Sequence, residues 1–112
     1  METIESIKIV QDAILDKMGF DISILDISDI STLSEYFIIA SANNANQLRA
    51  IMEAIQKCLS NIGIKQRHIE GLQGLNWILL DFGHIVVHLF SKEEREYYRL
   101  DNIWADAKKI NL

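Results

Sequence analysis

Asp81, His84 and His88 form the pattern D-x-x-H-x-x-x-H within the stretch NWILLDFGHIVVHLF, residues 76–90. Carboxylates and imidazoles at short spacing can bind zinc or move protons in an active site. Two histidines four residues apart could share one metal ion on a helix, because positions i and i+4 lie on the same side of a helix. The secondary structure of this stretch therefore decides whether it is a candidate for metal or acid–base chemistry.

The composition of the stretch predicts a β-hairpin rather than a helix. WILLDF and IVVHLF are six-residue runs rich in β-branched and aromatic residues, and Gly83-His84 separates them. A two-residue loop with glycine first is typical of a type II′ turn. On a strand, residues four apart are separated by about 13 Å at ~3.3 Å per residue, which is too far for one zinc ion with bonds of ~2.0 Å. The pattern therefore predicts no metal ligand, no catalytic residue and no cofactor.

The two-residue loop also predicts the register of the hairpin, because the loop length decides which residues face each other. Leu79 should pair with His88. One face is then entirely apolar and belongs to the core: Ile78, Leu80, Phe82, Ile85, Val87 and Leu89. The other face mixes aromatic and polar residues: Trp77, Leu79, Asp81, Val86, His88 and Phe90. A solvated face should be more polar than this, so either a helix of the same chain or a partner protein covers it.

Length and charge limit the class of protein. The chain has 112 residues, 49% of them hydrophobic, with no linker or repeat, and we expect a single domain over residues 1–112. The net charge of −5 disfavours a nucleic-acid groove; it fits docking onto a basic protein, or an acidic surface that only contacts solvent. With one cysteine, Cys58, no secretory signal and no apolar run of ~18 residues, we expect a cytoplasmic protein without membrane contact.

The remaining segments predict the elements that position the hairpin. Residues 4–18 have helical spacing of apolar side chains, 22–28 and 36–41 read as strands, and Asn44 with Gln47 resembles a capping box that starts a second helix. Residues 64–71 read as a third strand, and S-K-E-E at 91–94 should start a last helix that includes Leu100 and Trp104. The order α-β-β-α-β-β-β-α predicts an α/β (α+β) fold, a mixed sheet of about five strands flanked by helices.

Several of these stretches together resemble the Iojap family, whose bacterial members are called ribosomal silencing factors. The resemblance is carried by EYFIIAS, the asparagine-rich turn with Gln47, EG at 70–71, the hairpin, and R-E-Y-Y-R-L-D-x-I-W at 95–104. The family usually has aspartate at the positions of Glu35 and His84, glycine at that of Ala42, and L-E-x-L-W where this chain has 100–104. His84 removes one negative charge near the expected contact surface.

The resemblance implies a nucleotidyltransferase-like topology without catalysis. It implies binding to the large ribosomal subunit through its ribosomal protein fourteen, where the bound protein blocks the small subunit and represses translation, chiefly under nutrient limitation. A role in large-subunit assembly is implied as well. We expect the contact on the mixed face of the hairpin, with two residues of the last helix at its rim. The predicted partner-binding residues are Trp77, Leu79, Asp81, Val86, His88, Tyr98 and Leu100.

Two alternatives remain open. A nucleotidyltransferase-like enzyme would need a glycine–serine loop and paired carboxylates for Mg²⁺. The corresponding stretch here, ASANNAN at 40–46, lacks glycine. The nearby acids Asp21, Asp26 and Asp29 form no D-x-D pair, and Asp26 and Asp29, three residues apart, would point to opposite faces if they shared a strand. A purely structural homodimer would instead bury the mixed face between two copies. Of the nearby residues, Tyr36, Phe37 and Trp104 are expected in the core, and Arg95 on a helix surface or paired with Asp81.

Overall fold

A six-stranded mixed sheet forms the centre of the computed structural model, which describes residues 3–29, 34–98 and 108–110. The strands are β1 (Phe20–Asp26), β2 (Tyr36–Ala42), β3 (His68–Glu70), β4 (Trp77–Asp81), β5 (Ile85–Ser91) and β6 (Lys108–Lys109). They lie in the order β3-β4-β5-β2-β1-β6. The central strands β2 and β5 are parallel, and the other pairs are antiparallel. The predicted mixed sheet is confirmed, with the two-residue β6 as a strand that the sequence pattern did not predict.

In the part of the chain that the structure describes, three helices accompany the sheet: α1 (Thr3–Asp16), α2 (Ala45–Asn61) and α3 (Lys92–Tyr98). The central apolar side chains of α1 and α2 are buried against one side of the sheet, together with the hairpin side chains predicted to be core. Ile4 and Met18, the two ends of the apolar spacing predicted for the first helix, are exposed. The predicted order of elements is confirmed. The predicted strand over 64–71 is shortened to β3. Residues 64–67 are not part of the strand, although the backbone N–H of Arg67 donates to Asp81 O at 2.7 Å.

Gln47 joins three segments at the start of α2. Its backbone N–H donates to Asn44 Oδ1 (2.8 Å), so the predicted N-terminal cap is confirmed. Its side-chain Oε1 accepts from the backbone N–H of Asn43 (2.7 Å), and its Nε2 donates to the carbonyls of Lys17 (3.1 Å) and Met18 (2.8 Å). These carbonyls follow the last turn of α1, where they lack helical partners. One side chain therefore holds the end of α1 against the turn between β2 and α2.

A second, smaller apolar cluster occupies the other side of the sheet. Its buried members are Leu25, Ile27, Ile39 and Phe90, and Phe37 and Trp77 pack against them. Phe37 is thus half-buried in this cluster, whereas Tyr36 packs against the main core. Trp104 lies outside the described residues. Because side chains alternate along a strand, the mixed face of the hairpin belongs to this second side.

Arg95 attaches α3 to the sheet. Its guanidinium donates to the carbonyl of Asp21, to Ser41 Oγ (3.1 Å) and to Ser23 Oγ (3.1 Å). The carbonyl of Asp21 is available because Asp21 has a positive φ of 51° within a register irregularity between β1 and β2. The expectation of a plain surface charge was therefore wrong. The fork of N–H donors on arginine suits several acceptors at once, and here it joins the last described helix to β1 and β2.

Candidate protein interface

The β4–β5 hairpin has the predicted register. Asp81 pairs with Val86, Leu79 with His88, and Trp77 with Phe90. Phe82 N–H donates to Ile85 O at 2.9 Å, and Gly83 has φ +94°, a conformation that favours glycine. His84 lies in the turn and His88 in the middle of β5. The helical geometry that would let the two imidazoles share a metal ion is therefore not the geometry of this stretch.

Besides the bond between Phe82 and Ile85, four hydrogen bonds between described residues hold the tip of the hairpin. Asp81 Oδ1 accepts from Gly83 N–H at 2.8 Å, and the hydroxyl of Ser34 donates to Gly83 O at 3.0 Å. The carbonyl of His84 accepts from the backbone N–H groups of Glu35 and Tyr36, both at 3.0 Å. The carboxylate of Asp81 thus binds the backbone of the turn, and Asp81 remains partly exposed. These bonds tie the tip of the hairpin to the residues at the start of β2.

The mixed face divides into a partly exposed row and a buried row. Trp77, Leu79 and Asp81 on β4 are partly exposed, whereas Val86 and His88 on β5 are only 8% and 4% exposed. β5 lies between β4 and β2, so its side chains have neighbours on both sides. The structure therefore brings these five predicted residues onto one face, and among them only the three on β4 are partly exposed. Leu100 lies outside the described residues, as does the side chain of Tyr98.

His88 contacts the indole of Trp77 from the neighbouring strand. Its Nδ1 accepts a hydrogen bond from Trp77 Nε1 at 3.1 Å, and its ring meets Phe37 edge-on with a centroid distance of 4.8 Å. The indole of Trp77 also stacks on Phe90, with centroids 4.9 Å apart. Burial lowers the pKa of His88 from 6.5 to about 4, because an apolar surrounding penalises the charged imidazolium. His88 Nε2 is buried, and none of the described residues forms a hydrogen bond with it. The imidazole is therefore neutral near pH 7.

The residues considered for the rival enzyme site do not converge. Asp26 Oδ1 accepts from the backbone N–H and the hydroxyl of Ser28, at 3.0 and 2.6 Å. Asp29 lies in a turn beyond β1. The two carboxylates therefore do not share a strand. Within the described ranges, no group of three histidine, cysteine, aspartate or glutamate residues is arranged to hold a metal ion.

Within the same ranges, no helix is both long and apolar enough to cross a membrane.

Comparison with known proteins gives one consistent result. A family model described as "Ribosomal silencing factor during starvation" matches residues 1–112. The ribosomal silencing factor of Bacillus subtilis is 39% identical over 106 residues, which cover 95% of this chain and 90% of the relative. The mouse protein called mitochondrial assembly of ribosomal large subunit protein 1 is 31% identical over 91 residues, 76% of this chain and 39% of its own. A crystal structure of a Chromobacterium violaceum protein is similar with a TM-score of 0.91 and 30% identity, covering 100% of this chain and 92% of that one.

Proposed function

The chain belongs to the ribosomal silencing factor family, and from this premise we propose that it binds the large ribosomal subunit through ribosomal protein fourteen and keeps the small subunit away. The match of the family model to the whole chain is the observation that carries the proposal. The name of the mouse relative refers to assembly of the large subunit, which supports the same partner. A ribosomal partner also supports a cytoplasmic location.

The proposed mechanism is steric occlusion, in which no bond is made or broken. A standard protein interface buries about 800 Å² per partner, roughly one eighth of the 6591 Å² that this chain exposes. The protein then needs only enough affinity to hold a site that the small subunit must also occupy. We propose this non-catalytic role in place of the enzyme alternative, because the carboxylates that were candidates for Mg²⁺ do not converge.

We propose the β4 row of the hairpin as the centre of the contact. Trp77 and Leu79 offer apolar surface on a strand whose tip is fixed by hydrogen bonds. Partly exposed tryptophan on a rigid element is a frequent anchor of protein interfaces. Val86 and His88 are buried, and His88, which contacts the indole of Trp77, has a supporting position next to the anchor. Tyr98 and Leu100 remain proposed rim residues. A homodimer through the same face is the competing use of this surface.

Trp77→Glu tests the proposal against a matched control, Leu15→Glu. Leu15 is an apolar residue of α1, 55% exposed, on the helical side of the sheet. We expect Trp77→Glu to lose about 30- to 1,000-fold in affinity for purified large subunits, which corresponds to an anchor worth ~2–4 kcal/mol. Leu15→Glu should bind as the wild type does. Sedimentation with large subunits measures binding, and circular dichroism confirms folding.

Two outcomes would contradict this assignment. If Trp77→Glu unfolds, the residue is a core residue and the interface lies elsewhere. If the folded variant still sediments with large subunits, the β4 row is not the contact. Failure of the wild-type protein to bind large subunits would reject the proposed function as a whole.

A further inference from the structure

We propose that His88 is a positioning residue, which uses Nδ1 to hold the indole of Trp77 in the orientation that docks onto the partner. This proposal rests on the proposed function, because it assigns a task within the same contact. It differs from the sequence prediction, in which His88 touched the partner itself. The evidence lies in three features: the contact geometry around Trp77, the tautomer of His88 and the unpaired nitrogen of its ring.

The contact geometry leaves the indole few orientations. The bond from Nε1 to His88 Nδ1, at 3.1 Å, fixes the polar edge of the indole. The stack on Phe90, with an interplanar angle of 28°, fixes its flat face. His88 is itself held, because Phe37 contacts its ring edge-on and only 4% of the residue is exposed. A rigid anchor loses less conformational entropy on binding than one that must first be ordered.

The tautomer follows from the same bond. The indole nitrogen can only donate, so His88 Nδ1 must accept and carries no proton. A neutral imidazole then carries its proton on Nε2. A protonated His88 would have N–H groups at both positions and could not accept from Trp77. The low-dielectric surroundings of His88 therefore maintain the form of the ring that the contact with Trp77 requires.

The Nε2–H group indicates that stability alone does not explain this histidine. Nε2 is buried and has no hydrogen-bond partner among the described groups. Leaving a buried donor unpaired is destabilising, whereas a phenylalanine ring in an aromatic cluster would leave none. Residues that lower stability in this way are frequently retained for function. The gain here is an acceptor placed at the polar edge of the partly exposed Trp77.

The experiment compares His88→Phe with His88→Asn, alone and in a Trp77→Phe background. Phenylalanine keeps a ring but removes the acceptor, whereas the Oδ1 of asparagine can accept near the position of Nδ1. We expect His88→Phe to weaken binding to purified large subunits by about 3- to 10-fold, the range for loss of one hydrogen bond. His88→Asn should retain most of the affinity. His88→Phe should cause no further loss once Trp77 is phenylalanine, because the two residues act as one unit.

Nuclear magnetic resonance of the free protein provides an independent measurement. The Trp77 indole N–H signal, assigned from its disappearance in Trp77→Phe, should exchange slowly with solvent in the wild type and faster in His88→Phe. His88→Leu serves as a smaller variant if phenylalanine does not fit. Equal loss of affinity in both backgrounds would overturn the proposal, as would an unprotected wild-type indole. Wild-type protein that shows a protected indole yet does not bind large subunits would reject the proposed function and leave the local contact standing.

Discussion

At the scale of single residues, the second side of the sheet combines apolar packing with one buried polar ring. Phe37, Trp77 and Phe90 surround His88 on the faces and edges that the structure describes. None of these three rings carries a charge that could stabilise an imidazolium. The cluster consequently favours a neutral histidine, which links the folding of this region to pH.

The stability of the protein should therefore fall on mild acidification. The folded-state pKa of His88 is about 4, below the usual 6.5, so between these values the unfolded chain binds more protons. Stability from this group is complete above pH 6.5 and decreases as the pH falls towards 4. From pH 7 to pH 5 we expect a loss of roughly 2 kcal/mol in the free energy of unfolding. Urea denaturation at the two pH values measures it.

His88→Asn is the control, since asparagine does not titrate and all other ionisable groups are retained. The difference between wild type and variant isolates His88 from the two other histidines and the carboxylates. An equal loss of stability in both proteins over this pH interval would contradict the assignment of a buried, neutral His88.

At the scale of elements, what the sequence could predict depends on how local the deciding interactions are. The register of the hairpin follows from a two-residue loop and strict alternation, and both are properties of neighbouring residues. The parallel pairing of β2 with β5 and the two-residue β6 depend on contacts between distant segments. The burial of Val86 and His88 has the same origin, because alternation predicts the face of a strand but not what covers it. The contact of Arg95 with Asp21 depends on an irregularity in β1 that has no sequence signature.

Substitutions at two glycines with positive φ distinguish the effect of backbone strain on stability from the effect of a steric clash. A Cβ on Gly71 (φ +91°) would lie 1.8 Å from Trp77 O, whereas a Cβ on Gly63 (φ +85°) would meet no atom within 4 Å. We expect Gly63→Ala to lower the free energy of unfolding by about 1–2 kcal/mol through strain alone. Gly71→Ala should cost a further ~1–3 kcal/mol, because the start of β4 must shift. Chemical denaturation measures the free energy of unfolding of both variants. An equal loss in the two would show that a Cβ on residue 71 does not clash with the backbone of Trp77.

At the scale of the whole molecule, the two sides of the sheet have different surroundings. α1 and α2 bury one side of the sheet, and the second side carries a partly exposed tryptophan next to a hairpin tip fixed at the ends of β2 and β4. Such a surface can bind a partner without rearranging. The net charge of −5 also favours encounter with a basic protein rather than with ribosomal RNA. A rigid domain that only occupies a site should act by competition.

Competition makes a kinetic prediction that separates passive occlusion from active separation of ribosomes. A protein that binds only free large subunits lowers the amount of joined ribosome by mass action. It should leave unchanged the first-order rate at which joined ribosomes separate, measured by light scattering after dilution. When the small-subunit concentration exceeds the dissociation constant of the joined ribosome, the protein concentration needed for half-maximal inhibition of joining should rise in proportion to the small-subunit concentration. Trp77→Glu, folded but weakened, should require a correspondingly higher concentration. A separation rate that increases with protein concentration would mean that the protein binds the joined ribosome and drives it apart, and occlusion would then be the wrong mechanism.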